Sequence, residues 1–269
     1  MEKVYDKNRK CLIFFRKKNE AMWDEHWSNQ NIRELHDSVS KMNLVNRVTQ
    51  KYLAPHSGPI LEAGCGLGQF VHSISDIGYD CIGIDTAHET IAKIKNTYPD
   101  LNVNIMDVNN IEYPSGHFAG YWSLGVIEHL SEGYEQALQE MYRVIKPGGY
   151  AFVTVPIMSL LRRLKVFLRL YKTDANIDQY SSNNFSFYQF VFPSKKLIND
   201  FQKIGFRNIS SINISGIKGL GDEIPIFKSL LRRISSLRQK NLSGKCFVKV
   251  LDILLSLSAG HMALFVFQK

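Results

Sequence analysis

The residues with the clearest chemical meaning lie between Ile60 and Phe70, where an apolar run carrying Glu62 passes into three alternate glycines, Gly64, Gly66 and Gly68. Glycines at such a turn let a ligand approach the main chain closely. A dinucleotide fingerprint would put its last glycine three residues after the second, and that position, counted from Gly66, is Gln69. Glu62 also suits a ligand bearing positive charge better than one bearing phosphates. Asp85 closes the next apolar run and is placed to hold a ribose diol. Asp107 follows the third run, where a carboxylate accepts a hydrogen bond from an exocyclic amine or caps the following turn. A nucleoside with a cationic tail satisfies all three acids.

Glu128 and His129 follow a fourth apolar run. His129 has the intrinsic pKa of a proton acceptor, and the alternative is that the pair only stabilises the loop. Trp23 and Trp27, at helical spacing, either cover the ligand or staple a helix to the body. Tyr180, Phe185, Phe187, Tyr188 and Phe190 either line an acceptor pocket or close a lid over the core. His26, His36, His56, His72, His88 and His117 lack metal-ligand spacing, and Cys11, Cys65, Cys81 and Cys246 are scattered, so no metal site is expected.

These residues need a scaffold, and the alternation of short apolar runs with helix-period segments predicts a parallel sheet covered by helices. The expected strands are 60–63, 81–84, 103–106, 118–124, 150–155, 209–214 and 261–267. A capping box of Thr86 and Glu89 should open one helix, and Ser131 should cap another that ends at Lys146-Pro147-Gly148-Gly149. The expected organisation is an N-terminal helical segment over residues 1–58 covering the ligand, a binding core at 59–156, a lid or acceptor insertion at 157–192, and a C-terminal part at 193–269 with a basic helical insertion at 216–258.

Residues 61–68, 83–85, 106–108, 124–130 and 143–149 together resemble the class I S-adenosylmethionine-dependent methyltransferases, in particular the small-molecule and quinone methyltransferase branch. The resemblance implies an α/β fold, a Rossmann-like seven-stranded, mostly parallel sheet with helices on both faces and the last strand antiparallel, plus helical insertions. It implies S-adenosyl-L-methionine as cofactor. Glu62, Gly64, Cys65, Gly66 and Gly68 would embrace the methionine part and Asp85 the ribose. Asp107 and Val108 would contact the adenine, with Leu124 near the methionyl group. The expected activity is O- or N-methylation of a small-molecule or lipid- or glycan-linked acceptor, with His129 and Glu128 as candidate catalytic groups. The rival readings are an RNA methyltransferase and a noncatalytic cofactor-binding partner protein. Ser123-Leu124-Gly125-Val126 lacks the Asn/Asp-Pro-Pro-aromatic run of amino-directed base methyltransferases and the Pro-Cys of cytosine-5 enzymes.

Charge is divided unevenly. Residues 1–156 hold 15 Lys+Arg against 19 Asp+Glu, a net of −4, and residues 157–269 hold 18 against 6, a net of +12. Three segments, 157–172, 226–240 and 245–254, combine an apolar stripe with a basic face. Two readings stand: the stripes pack on the sheet and on each other, or they meet an anionic membrane surface. The apolar run 11–15 is too short for a signal peptide, and 248–267 is interrupted by Lys249, Asp252 and Gly260. The expected setting is the cytoplasm, with peripheral contact to membrane.

Overall fold

The computed structural model describes residues 1–17, 27–28, 30–39, 43–173, 185–239 and 241–269. Trp23, His26 and Tyr180 lie outside the described residues. In chain order the strands are β1 (Glu2–Asp6), β2 (Cys11–Lys17), β3 (Ile60–Ala63), β4 (Cys81–Asp85), β5 (Val103–Ile105), β6 (Phe118–Leu124), β7 (Ile145–Pro156), β8 (Lys172–Thr173), β9 (Phe185–Val191), β10 (Arg207–Ile214) and β11 (Met262–Gln268). The principal helices are α1 (Ile32–Ser38), α2 (Leu44–Tyr52), α3 (Gln69–Ser75), α4 (His88–Thr97), α5 (Glu135–Val144), α6 (Leu160–Phe167), α7 (Ser194–Ile204), α8 (Gly216–Glu223), α9 (Lys228–Ser236) and α10 (Leu242–Ala259).

A seven-stranded sheet runs in the order β10-β11-β7-β6-β3-β4-β5, mostly parallel with the last strands antiparallel. It is the Rossmann-like α/β sheet expected from the sequence. Ile60 stands opposite Cys81 on one side and Gly120 on the other, so β3 is central, and all four of its residues are buried. Strands covered on both faces must be apolar throughout rather than alternating, which is why this part reads as continuous runs.

The chain divides into two compact units, one of Asn19–Val153, Asp200–Ile209 and Val266–Lys269, the other of Met1–Lys18, Thr154–Asn199 and Ser210–Phe265. In the first, α2 is fixed by Asn46, whose amide donates to the Ser73 carbonyl at 3.1 Å and hydroxyl at 2.9 Å. The Trp122 indole stacks on Phe152 and donates to the Thr49 hydroxyl at 3.0 Å, so a large buried aromatic leaves no N–H unmet. Two expected caps do not form. Helix α4 begins at His88 with Ala87, which has no side-chain acceptor, in the N-cap place expected for Thr86, while the Ala87 N–H donates to the Asp85 carboxylate at 3.0 Å. Helix α5 begins at Glu135, not near Ser131, because a turn at Gly133 (φ +109°) intervenes. Strand β7 starts five residues before Tyr150, extended by the C-terminal residue: Gly148 N–H meets the Lys269 carbonyl at 2.9 Å and Lys269 N–H the Gly149 carbonyl at 3.0 Å.

The second unit holds an unexpected four-stranded sheet, β8-β1-β2-β9. Residues 2–6 and 11–17 are therefore strands, a correction to the helical segment expected over 1–58. Ile13 pairs with Val4 and, on its other side, with Phe190, and Leu12, Phe14, Met158, Tyr171 and Val191 form the core beside this sheet. Helices α8, α9 and α10 supply a second core around Ile217, Leu231 and Val248.

Glu223, at the end of α8, is buried with four donors on its carboxylate: Lys3 at 2.9 Å, Arg162 at 3.0 Å, Lys165 at 2.8 Å and the Tyr171 hydroxyl at 2.6 Å. Burial alone would raise its pKa. The hydrogen bonds from Lys165, Tyr171 and Lys3 outweigh that and hold it far below the usual carboxylate range. Arg162 also donates to the carbonyls of Ile157 and His261. Burial, then the nearby Lys218 and Arg162 charges, lower His261 to about 3, so its imidazole is neutral.

Candidate active site

Six of the residues expected to bind the cofactor or act in catalysis surround one cavity: Gly64, Asp85, Asp107, Val108, Leu124 and His129. They come from the carboxyl ends of β3, β4, β5 and β6, where an open parallel sheet offers its crevice. Trp27, Thr86, Met106, Gly125, Val126 and Leu130 complete the wall.

The glycine loop is shaped by close approach. Gly64 and Gly66 have φ of +78° and +52°. A Cβ on Gly64 would collide with Val126, and one on Gly66 would lie 2.7 Å from the Trp27 ring. Trp27 thus packs over the loop, which favours its role as cover. Lys93 fastens that segment by donating to the carbonyls of Ser28 at 3.1 Å and Gln30 at 2.7 Å.

The loop is tied to β4 by the N–H groups of Gly64 and Cys65, both donating to the Ile84 carbonyl. Asp85 completes the tie: Oδ2 accepts from Gly66 N–H at 2.8 Å and Oδ1 from Ala87 N–H at 3.0 Å. Each oxygen has further lone-pair capacity, so the carboxylate is oriented without being saturated. Asp107 accepts from the backbone and side chain of Asn109 at 2.8 and 3.0 Å, so it caps its turn and also faces the cavity. That turn is pinned by Arg143, which donates to the carbonyls of Ile111 and Tyr113 and pairs with Glu140.

Glu62, Cys65, Gly66 and Gly68 do not line the cavity wall. Cys65 is buried, which pushes its thiol pKa well up, and its side chain lies where a Cβ on Gly83 would be. Its part in the loop is through the main chain. Gly68 (φ +74°) opens α3. Glu62 is buried and accepts from Val71 N–H, but its Oε2 has no hydrogen-bond partner. Burial, reinforced by the Asp85 charge, raises its pKa well above the ordinary carboxylate value.

Glu128 is buried in the short turn Ile127–His129, with Oε2 also without a partner, and burial pushes its pKa up to about 8. At neutral pH it is mostly protonated. His129, beside it, lines the cavity.

Sequence reasoning missed His36. This buried side chain on α1 meets the Leu67 carbonyl at 2.8 Å through Nε2 and stacks on Tyr98. A carbonyl can only accept, so Nε2 carries the hydrogen. Burial lowers the His36 pKa and favours this neutral ring. It supports the glycine loop from behind, and an isolated histidine with no motif around it gives no sequence signal.

An orphaned buried carboxylate oxygen near a glycine cradle that side chains would fill fits S-adenosylmethionine, which bears a ribose diol, an adenine amine and an ammonium group. Pyrophosphate would meet acid rather than base here.

Comparison with known proteins agrees. The family described as Methyltransferase domain matches residues 61–153. A probable S-adenosylmethionine-dependent methyltransferase of Mycolicibacterium smegmatis is 32% identical over 97 residues, 36% of this chain and 37% of that protein. The tRNA (carboxymethyluridine(34)-5-O)-methyltransferase of Arabidopsis thaliana is 31% identical over 105 residues, 38% of this chain and 24% of that protein. The chain therefore matches well under half the length of these relatives. A crystal structure of an S-adenosylmethionine-dependent methyltransferase from Archaeoglobus fulgidus superposes with a TM-score of 0.54 over 92% of this chain and 98% of that one, at 18% identity, a likeness of fold. The glycine loop, the carboxylates at the strand ends and the matched family identify residues 61–153 as a methyltransferase domain of the class I, S-adenosylmethionine-dependent type.

Proposed function

We propose that the protein is an S-adenosylmethionine-dependent methyltransferase acting on the oxygen or nitrogen of a small-molecule or lipid- or glycan-linked acceptor. The observation that carries this reading is the Asp85 carboxylate, oriented by Gly66 and Ala87 N–H groups on the same cavity as Gly64. Asp85 would hold the ribose hydroxyls, Asp107 the adenine amine and Glu62 the ammonium end, with Val108 and Leu124 as apolar walls. When bound, the cofactor supplies a methyl group already made electrophilic by its sulfonium.

The protein then has to position the acceptor and exclude water. Trp27 covers the loop side. His129, at the cavity wall, takes the proton of a hydroxyl acceptor through a ring nitrogen, and Glu128 positions its turn.

Incubation with labelled methyl donor and separate small-molecule, lipid-linked glycan and RNA fractions tests the reading. Label in either of the first two supports it. Label confined to RNA would replace the acceptor class, and binding without any transfer would favour a noncatalytic role. In a positive assay, His129→Ala should slow turnover by about a hundredfold with cofactor affinity unchanged if it is the base.

A further inference from the structure

The helices of the second unit place their apolar stripes outward. On α6 the inward position is Arg162, 0% exposed, while Leu160, Leu164, Phe167 and Leu168, at i, i+4, i+7 and i+8, face solvent, Phe167 at 82%. The cause lies in Glu223: its carboxylate is buried and takes the guanidinium, so the helix must turn its basic side inward. Helix α10 packs against α6 and α8. It buries Val248, Ser256 and Ala259 and exposes Phe247, Val250, Leu254 and Leu257, at i, i+3, i+7 and i+10, with Ile253 beside them.

Single exposed leucines are ordinary, but two such stripes on helices that pack on each other leave apolar surface that calls for a partner. The charges around them have one sign. Across residues 157–173 and 216–259 the exposed charged side chains among the described residues are all Lys or Arg, including Arg163, Arg169, Arg232, Arg233, Lys245 and Lys249. Of the three acids there, Glu223 is buried and Asp222 and Asp252 are half-buried. Asp222 pairs with Lys218, Asp252 accepts from Ile217 N–H, and Glu223 is saturated.

We propose that this face docks on an anionic lipid bilayer, with the apolar stripes of α6 and α10 entering the interface and the cations meeting headgroup phosphates. Charge complementarity selects this occupant. A second copy meeting the same face about a two-fold axis would bring cations against cations. A nucleic acid would neutralise the cations and leave the aliphatic stripes uncovered. Among the described residues no helix is long and apolar enough to cross a membrane, so α10 lies on the surface in this account. The proposal rests on these helices and is independent of methyl transfer.

Of the four cysteines only Cys246 is exposed, and it precedes Val250 by one helical turn. An environment-sensitive dye on Cys246 should shift to the blue with vesicles of phosphatidylcholine mixed with phosphatidylglycerol, and the protein should co-sediment with them. Phosphatidylcholine alone should give neither effect, and high salt should reverse both. Leu164→Glu with Leu254→Glu, both at exposed positions, should weaken association at least about tenfold. Arg163→Glu with Arg232→Glu should do so by a similar factor, and circular dichroism should report the fold intact in both variants. Equal association with both vesicle types would overturn the proposal. So would no association with either, whether accompanied by concentration-dependent dimerisation or by retention on RNA.

Discussion

The two units treat a buried carboxylate in opposite ways. Glu223 is met by three cations and a phenol, and its pKa is driven down. Glu62 and Glu128 are equally buried, each keeps one oxygen without a partner, and their pKa values are driven up. A saturated carboxylate has no capacity left for a ligand and works for the fold. An unsaturated one costs stability, and the fold retains it where a ligand or a proton will complete it. The proposed chemistry thus falls in the unit with the glycine loop, and the Glu223 cluster serves the cohesion of the other.

The contrast is most severely tested at Glu223. Glu223→Gln should destabilise the second unit by about 3–5 kcal/mol in urea unfolding, because Arg162, Lys3 and Lys165 lose their common counter-charge. A loss below about 1 kcal/mol would mean the cluster is not what holds that unit together. Next in size is Asp85→Ala, which should weaken S-adenosylmethionine binding by about 2–4 kcal/mol, tens- to hundreds-fold.

Glu62→Gln should separate the units by sign. It should leave the free protein as stable as before or slightly more so, while lowering cofactor affinity about tenfold, since an amide cannot ionise to meet an ammonium group. The ammonium group should pull the raised Glu62 pKa down, so wild type should release a proton on binding at a pH between its free and bound values, read as a dependence of the calorimetric heat on buffer ionisation, and the variant should not.

A pH-dependent effect concerns Glu128. Its folded pKa of about 8 lies above the ordinary 4.5, so between these values the unfolded chain has lost a proton that the folded chain keeps. The Glu128 contribution is therefore fully present below about pH 4.5, declines as pH rises, and levels off above about pH 8. Glu128→Gln removes this decline. Its melting temperature should lie close to that of wild type near pH 5 and exceed it by about ten degrees near pH 8.

What was legible in the sequence follows the same division. Strands β3 and β6 were bounded to the residue, and Gly64, Asp85, Asp107, Val108, Leu124 and His129 were found to share a cavity, because a short, mostly apolar strand followed by a glycine or an acid is a local signal. The outer pairings of β1 and β2 were missed because partners such as Lys172 and Val191 lie more than a hundred residues away. The spacing of Leu160, Leu164, Phe167 and Leu168 established amphipathicity on α6, but periodicity does not say which face is inside. That was decided by Glu223, 61 residues beyond Arg162. His36 was invisible for the same reason: its acceptor, the Leu67 carbonyl, is 31 residues away.

The most direct measurement is calorimetric titration of the protein and of Asp85→Ala with S-adenosylmethionine and, separately, with NADH. The account predicts saturable binding of S-adenosylmethionine to wild type, a loss of tens- to hundreds-fold in affinity in the variant, and no binding of NADH to either. Binding of NADH but not S-adenosylmethionine to wild type, or equal S-adenosylmethionine affinity in the two proteins, would contradict it.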